Sequence, residues 1–313
     1  MTDTPTPVLH IHPTRMCNLA CAHCYSRSGP MARDHLALDT LLAGSANLFQ
    51  HGYRQASLSG GEPMLYRDID GLCDGLTSQG YGVSVITNGW FCDRIKRIAG
   101  KGHLHAVSIS FDGLPCVHDV IRRRKGAFEK AHAGLTSLVE AGIETGAVVA
   151  VTRTSLPQLP DLVAVLRDAG AAQIQFHPVA AVGRATETPA ECAELDEEQM
   201  LRLLLLTEAF RKLYPDTAFG TDALTGIDIA NARIGQPGTL ISPLVVDEDG
   251  RLHPFAYGMN AAHSLGTLQN RYAAPYVTSD MAKVIAATRT ACEGKLASAF
   301  FPELVHQSDQ ITP

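Results

Sequence analysis

VLHIHPTRMCNLACAHCYSR (residues 8–27) runs from a short β-rich segment straight into a loop carrying three cysteines, Cys17, Cys21 and Cys24. The same order, strand first and polar loop after, recurs downstream. Further β-rich runs stand at QASLS (55–59), YGVSVIT (81–87), HAVSISF (105–111), TGAVVAV (145–151) and AAQIQFH (171–177). Between them, residues 39–50, 68–80, 94–100, 127–142 and 159–170 carry apolar side chains at helical spacing. Gly52, Gly80, Gly100, Gly142 and Gly170 stand where those helices should stop. Strand and helix alternating in this way predict a parallel sheet with helices outside. Six units fall short of a closed eight-fold barrel, so the expected fold is α/β, a partial (β/α)6 TIM-like barrel. In such folds the site lies beyond the carboxyl ends of the strands, where the three-cysteine loop stands.

After residue 180 the rhythm changes. A polar stretch leads into a strong helical pattern at 197–214, then a loop-rich segment and a hairpin candidate, ISPLVVDEDGRLHPFAY (241–257), turning at Asp249-Gly250. A last helix is expected near 276–296. The sequence thus predicts a core over residues 1–185 and a small α+β extension over 186–313 that covers the open barrel.

Composition narrows the function. The 313 residues carry a formal net charge of −6, with 45% hydrophobic and 19% charged residues, which is globular rather than disordered. The net negative charge argues against nucleic acid as a partner. No apolar run approaches the ~20 residues that span a bilayer, so no membrane association is expected. The N-terminus does not read as an export signal. A cytoplasmic protein is therefore expected, and in that reducing compartment clustered thiols point to metal rather than to disulfides.

Three thiolates within eight residues can wrap one small inorganic centre. A mononuclear zinc loop usually wants four ligands in two pairs. A [4Fe–4S] cluster held by three cysteines leaves one iron open. The C-x3-C-x2-C spacing of Cys17, Cys21 and Cys24, with aromatic His23 before the last, resembles the radical S-adenosylmethionine (SAM) superfamily. That resemblance extends to the other strand ends. SGGEPMLY (59–66) is similar to the superfamily motif for the methionine amino group, which assigns Gly60, Gly61 and Glu62 to SAM, with Pro63 shaping the turn. ITNG (86–89) and SISFDG (108–113) resemble motifs of the peptide-maturase and molybdopterin-cofactor subgroup, implying SAM contacts for Thr87, Asn88, Ser110 and Asp112. HDVIRRRKGAFEKA (118–131) also resembles that subgroup. One arginine there, Arg122 or a neighbour, would pair with the SAM carboxylate, or the run is a solvated turn. VTRTS (151–155) and FHPVAAVGRA (176–185) match the last two strand ends, where Val179 would cover the adenine.

Residues 240–268 look like a SPASM/twitch-like extension in degenerate form. Phe255 and Gly258 stand where thiols of an auxiliary cluster would be expected, and Cys292 is the one cysteine after Cys192. One cluster per chain is expected. Cys73 and Cys92 read as core residues. Cys116, placed in the loop after the fourth strand, and Cys192 and Cys292 are either incidental or hydrogen-atom donors to a substrate radical. His10, His12, His177 and His253 lie near strand ends or the hairpin, where single histidines are more often core or rim residues than ligands.

The resemblance implies an enzyme that reductively cleaves SAM and abstracts a substrate hydrogen through the 5′-deoxyadenosyl radical. A flavodoxin or ferredoxin would supply the electron. The expected substrate is a ribosomally made peptide, cross-linked or epimerised; a small metabolite is the alternative. The chain begins almost at its first strand, which is expected to leave no room for an N-terminal peptide-recognition domain and weighs against the peptide; a separate recognition protein would favour it. A non-catalytic iron–sulfur or zinc module is the reading from another class, opposed by the intact Gly60-Gly61-Glu62-Pro63 turn.

Overall fold

Apolar side chains at every second position of six short segments set the frame of the molecule. The computed structural model describes residues 7–188, 190–221, 238, 240–254, 264–269 and 275–276. The six expected strands are β1 (Val8–Ile11), β2 (Gln55–Leu58), β3 (Gly82–Thr87), β4 (Ala106–Phe111), β5 (Thr145–Val151) and β6 (Gln173–Pro178). The helices are α1 (Leu38–His51), α2 (Ile69–Ser78), α3 (Cys92–Ala99), α4 (Pro115–Arg122), α5 (Ala127–Glu140), α6 (Leu159–Asp168) and α7 (Glu197–Leu213). Four more strands follow: β7 (Ala218–Thr221), β8 (Leu244–Val246), β9 (Arg251–Pro254) and β10 (Gly266–Thr267).

All belong to one ten-stranded sheet in the order β10-β9-β8-β1-β2-β3-β4-β5-β6-β7. The expected parallel arrangement holds from β1 through β6, and α/β is the fold class. Two elements differ from expectation. The segment read as a loop after the fourth strand is helix α4, opened by Pro115 at its first turn and only eight residues long. A seventh parallel strand, β7, pairs with β6. Its four residues, AFGT, carry too short an alternation to stand out.

The expected hairpin is present as β8 and β9. Its turn is held by Asp247 Oδ1, which accepts from the backbone N–H groups of Asp249 and Arg251 at 2.9 Å each. β8 also pairs in parallel with β1, Leu9 opposite Leu244 and Ile11 opposite Val246. The region beyond residue 185 thus adds strands to both sides of the six-stranded core. The helix expected near 276–296 and residues Phe255, Gly258 and Cys292 lie outside the described residues.

The two faces of the strands differ in kind. Leu9, Ile11, Val85, Val107, Ile109, Val149, Ile174 and Phe176 are fully buried in the main core, together with Leu41, Leu72, Leu135 and Leu162 of the helices. Burial on this scale, at roughly 25 cal/mol per Å2 of apolar surface, is the dominant favourable contribution to the fold. Their neighbours along the strands, His10, Ser84, Ser108, Ser110, Ala150, Gln175 and His177, are only half-buried. Small and polar residues therefore line the inner face and leave it open. Among the described residues no helix is long and apolar enough to cross a membrane.

Candidate active site at the carboxyl ends of the strands

The three-cysteine loop leaves β1 and is braced from several sides. The Cys17 N–H donates to the Gly29 carbonyl (3.3 Å), and the Ala22 N–H donates to the Ile121 carbonyl at the end of α4 (2.7 Å). Arg184 ties the loop from beyond β6. Its Nη1 donates to the Cys21 carbonyl (2.5 Å) and its Nη2 to the Ser28 carbonyl (2.7 Å), while its backbone N–H reaches the Cys24 carbonyl (2.9 Å). This arginine was not singled out by sequence, although it lies in the FHPVAAVGRA segment quoted for the sixth strand end.

The cysteines form a donor set suited to an iron–sulfur cluster. Cys17 and Cys21 are buried and Cys24 is partly so. Cys17 Sγ accepts from the Leu19 N–H at 3.4 Å and from Asn88 Nδ2 at 3.9 Å, contacts that favour a thiolate. Burial, followed by the charge of Glu62, pushes the Cys17 thiol up to about 12. Burial pushes Cys21 up to about 11, with Arg122 opposing. Without metal both stay protonated, so metal binding would release their protons. Among the described residues no three or more His, Cys, Asp or Glu side chains are placed to hold a single metal ion. The three cysteines line one cavity.

The Gly60-Gly61-Glu62-Pro63 turn packs against this loop. Gly60 has φ +96°, a left-handed conformation that favours glycine. A Cβ on Gly61 would lie 2.3 Å from the Met16 carbonyl oxygen. The close approach is to the cysteine loop itself: the Gly61 N–H donates to Thr14 O (2.9 Å) and the Glu62 N–H to Met16 O (2.8 Å). Glu62, 1% exposed, accepts from the Met64 N–H (3.2 Å), Thr87 Oγ1 (2.8 Å) and the Asn88 N–H (2.9 Å). Burial raises its pKa while those three donors pull it down. Glu62 thus locks the end of β3 to the end of β2. Pro63 opens a single 3-10 turn that carries the chain away.

Asp112, fully buried at the end of β4, gathers a second set of braces. Arg122 grips it with Nε, and with Nη2 at 3.0 Å, and His23 Nε2 lies 2.9 Å from Oδ1. The Asp112 N–H donates to His118 Nδ1 at 3.2 Å. Burial works to raise the Asp112 pKa, but Arg122 and then His23 override it and hold the carboxyl well below the usual range. The arginine fork expected to face a SAM carboxylate is thus engaged by Asp112. The pairing fixes His23, between two of the cysteines, against α4.

These pieces meet around one cavity of about 430 Å3. Cys17, Cys21, Cys24, Gly60, Gly61, Thr87, Asn88, Ser110, Asp112, Arg122 and Val179 all line it. Ser59 lines it too, and its hydroxyl is buried without a partner, an orphan that a bound cosubstrate could satisfy. Cys116 is not among the lining residues; it lies exposed on α4 rather than in a loop. Cys192 is buried against Ala22 and Ala185, behind the cysteine loop. Cys73 and Cys92 belong to the main core, and burial pushes their thiols up to about 12 and about 11.

Residues 11–169 match the radical SAM superfamily. The chain belongs to that superfamily. Among relatives of this radical SAM protein is the sporulation killing factor maturation protein SkfB of Bacillus subtilis, 29% identical over 61% of this chain and 47% of SkfB. Another is the Fe-coproporphyrin III synthase of Methanosarcina barkeri, 30% identical over 70% of this chain and 55% of the synthase. The chain spans about half the length of the curated relatives it matches. Among solved structures, Streptococcus suis SuiB bound to S-adenosylmethionine superposes with a TM-score of 0.67 at 15% identity, over 85% of this chain and 64% of SuiB. SuiB has also been solved with precursor peptide SuiA. At such identity the likeness is one of fold.

Proposed function

We propose that this radical SAM protein is an enzyme that modifies a ribosomally made peptide, by cross-linking or epimerisation. The observation that carries the proposal is the convergence of Cys17, Cys21, Cys24, Gly60, Gly61 and Ser110 on one cavity at the strand ends. Cys17, Cys21 and Cys24 would hold a [4Fe–4S] cluster, and Gly60, Gly61, Thr87, Asn88, Ser110 and Val179 would hold SAM. When bound, cluster and SAM supply a 5′-deoxyadenosyl radical able to take hydrogen from an unactivated C–H bond. The chain's own residues position and shield. Glu62 fixes the Thr87–Asn88 turn, Asp112 and Arg122 fix His23, and the barrel walls exclude water from the reacting centre.

Residues 1–185 form the catalytic core in this reading, and 186–313 a SPASM/twitch-like cover with no auxiliary cluster. A flavodoxin or ferredoxin supplies the electron, a separate protein presents the peptide, and the setting is cytoplasmic. The relation to SkfB and the fold shared with SuiB support a peptide. The relation to the Fe-coproporphyrin III synthase supports a second reading, a small metabolite.

Anaerobic reconstitution tests the core of the proposal. About four irons and four sulfides per chain are expected, with SAM-dependent release of 5′-deoxyadenosine. Replacing Cys17, Cys21 or Cys24 by alanine should abolish both. Release of 5′-deoxyadenosine that survives these substitutions would refute the assignment. In deuterated solvent, a deuteron gained by the substrate marks epimerisation, and loss of two hydrogens marks cross-linking.

A further inference from the structure

Where α4 ends, the protein surface meets the cysteine loop. The Ala22 N–H, next to Cys21, donates to the Ile121 carbonyl, and Arg122 turns inward to Asp112. The next three residues, Arg123, Arg124 and Lys125, are exposed. Arg123 makes this reversal at φ +53°, a left-handed conformation in which glycine is the usual helix stop. Asp119 pins the turn from inside. Its carboxylate accepts from the N–H groups of Gly126 (2.6 Å) and Phe128 (2.9 Å). The cations therefore stand on a braced backbone.

Their charge is largely unspent within the chain. Arg123 lies 3.8 Å from Glu191, but among the described residues Arg124 and Lys125 have no ion-pair partner. Arg27, the exposed cation of the cysteine loop itself, is taken up by Glu187. Residues 123–130 expose four cations, Arg123, Arg124, Lys125 and Lys130, against one acid, Glu129, in a chain of net charge −6. Val120, 57% exposed, and Cys116, also exposed, are four residues apart and share the outer face of α4 that leads to these cations. Exposed apolar surface bordered by charge is the make-up of a protein-docking surface.

The position of the patch selects its partner. The Arg124 guanidinium stands 5.4 Å over the Trp90 ring, and Trp90 packs against the group formed by Cys17, Leu19 and Cys21. One side chain thus separates the charged surface from the cysteines. Neither Arg124 nor Lys125 lines the cavity, so the patch is not part of the wall around cosubstrate or substrate. What must reach a cluster from outside is an electron, and electron transfer between proteins falls off steeply with distance. A carrier bearing surface carboxylates would be drawn to these cations and held beside Trp90.

We infer that the end of α4, with Val120, Arg123, Arg124 and Lys125, is the docking surface for an acidic one-electron carrier protein. This rests on the cluster chemistry proposed above. In the docked pair one electron leaves the carrier's reduced flavin and enters the cluster held by Cys17, Cys21 and Cys24. The carrier is oxidised by one electron, the cluster is reduced by one, and the flavin keeps its proton.

Anaerobic stopped-flow mixing of the reconstituted, SAM-bound protein with a fully reduced acidic flavodoxin tests the inference, read from the cluster's visible absorption. The second-order rate constant should fall steeply as salt rises. Arg124→Gln combined with Lys125→Gln should lower it about tenfold at low salt. The same loss of two charges at Arg67 and Lys101, both exposed, should leave it within about twofold. Val120→Asp, on the outer face of α4, serves as the second variant should the glutamine pair misfold. In both patch variants the rate with dithionite, the iron per chain and the melting temperature should match wild type.

No reduction by flavodoxin, a rate constant indifferent to salt, an undiminished rate in both patch variants, or equal slowing in the Arg67 and Lys101 control overturns the inference. So does a variant slowed by the same factor with dithionite, because the patch would then act on the cluster itself. A patch variant that keeps the flavodoxin rate but loses affinity for poly-glutamate overturns it too, and assigns the surface to an acidic peptide. Wild-type protein that makes 5′-deoxyadenosine with dithionite yet gives one of these results fails this inference alone. Wild-type protein that makes none with either reductant fails the proposed function.

Discussion

Replacing Asp112 by asparagine removes one charge from the most enclosed ion pair next to the cysteines. Asp112 is fully buried and Arg122 is 7% exposed, so solvent screens neither. Asparagine keeps the shape and one acceptor oxygen but leaves the guanidinium buried without a counter-charge. Breaking a buried pair from one side costs about 3–5 kcal/mol. At roughly 2 °C per kcal/mol for a chain of this size, Asp112→Asn should lower the melting temperature by about 6–10 °C. The double variant Asp112→Asn, Arg122→Met removes both charges and should recover most of that loss, read as a coupling energy in a double-mutant cycle.

The pH dependence has a definite sign. The folded carboxyl lies below its unfolded value of about 3.9, so its contribution is complete above that value and fades as pH falls toward the folded one. The melting gap between wild type and variant should therefore hold at neutral pH and narrow below about pH 4. Iron loading should fall with the single substitution, because His23 loses its anchor between Cys21 and Cys24. A melting shift under about 2 °C, or a double variant destabilised by the full sum, refutes the reasoning.

Three further substitutions probe the loop and its braces. Gly61→Ala drives a methyl into the Met16 carbonyl and should cost about 1–3 kcal/mol in denaturant unfolding, with reduced iron uptake on reconstitution. Glu62→Gln turns an amide donor toward the donors of Thr87 and Asn88. It should cost about 1–3 kcal/mol and raise the Kd for SAM in equilibrium binding. Arg184→Met frees the Cys21 and Ser28 carbonyls and should lower iron per chain more than it lowers the melting temperature.

Local periodicity made the six strands of the core and six of the seven described helices legible. Alternation in VLHI or GVSVIT and helical spacing in LDTLLAGSANLF are carried within a few residues. Helix α4 escaped because PCVHDVIR follows Asp112-Gly113-Leu114, where a turn is the natural reading. The site's location was legible from motif order along the chain. Its internal wiring was not. Glu62 meets Thr87 and Asn88, and Asp112 meets His23 and Arg122, through contacts across strands and loops whose spacing follows no short period. Read from sequence, Glu62, Asp112 and Arg122 stand as ligands for SAM. Folded, their polar atoms are engaged with one another's loops.

The pairing of β8 with β1 has a consequence for the order in which the molecule is made. The strand that delivers the cysteine loop has one edge bonded to β2 and the other to a segment synthesised far later. The Val8 N–H donates to Ser242 Oγ at 3.1 Å across 234 residues, and the His12 N–H donates to Val246 O at 2.9 Å. A growing chain can complete the β1–β2 side early, but the far edge stays bare until the hairpin leaves the ribosome. Contacts of such long range form late and leave an unpaired strand edge exposed meanwhile. Docking of the hairpin thus marks the point at which the base of the cysteine loop becomes fixed on both sides. Iron delivered before that point meets thiols on a loop whose supporting strand is still open at one edge.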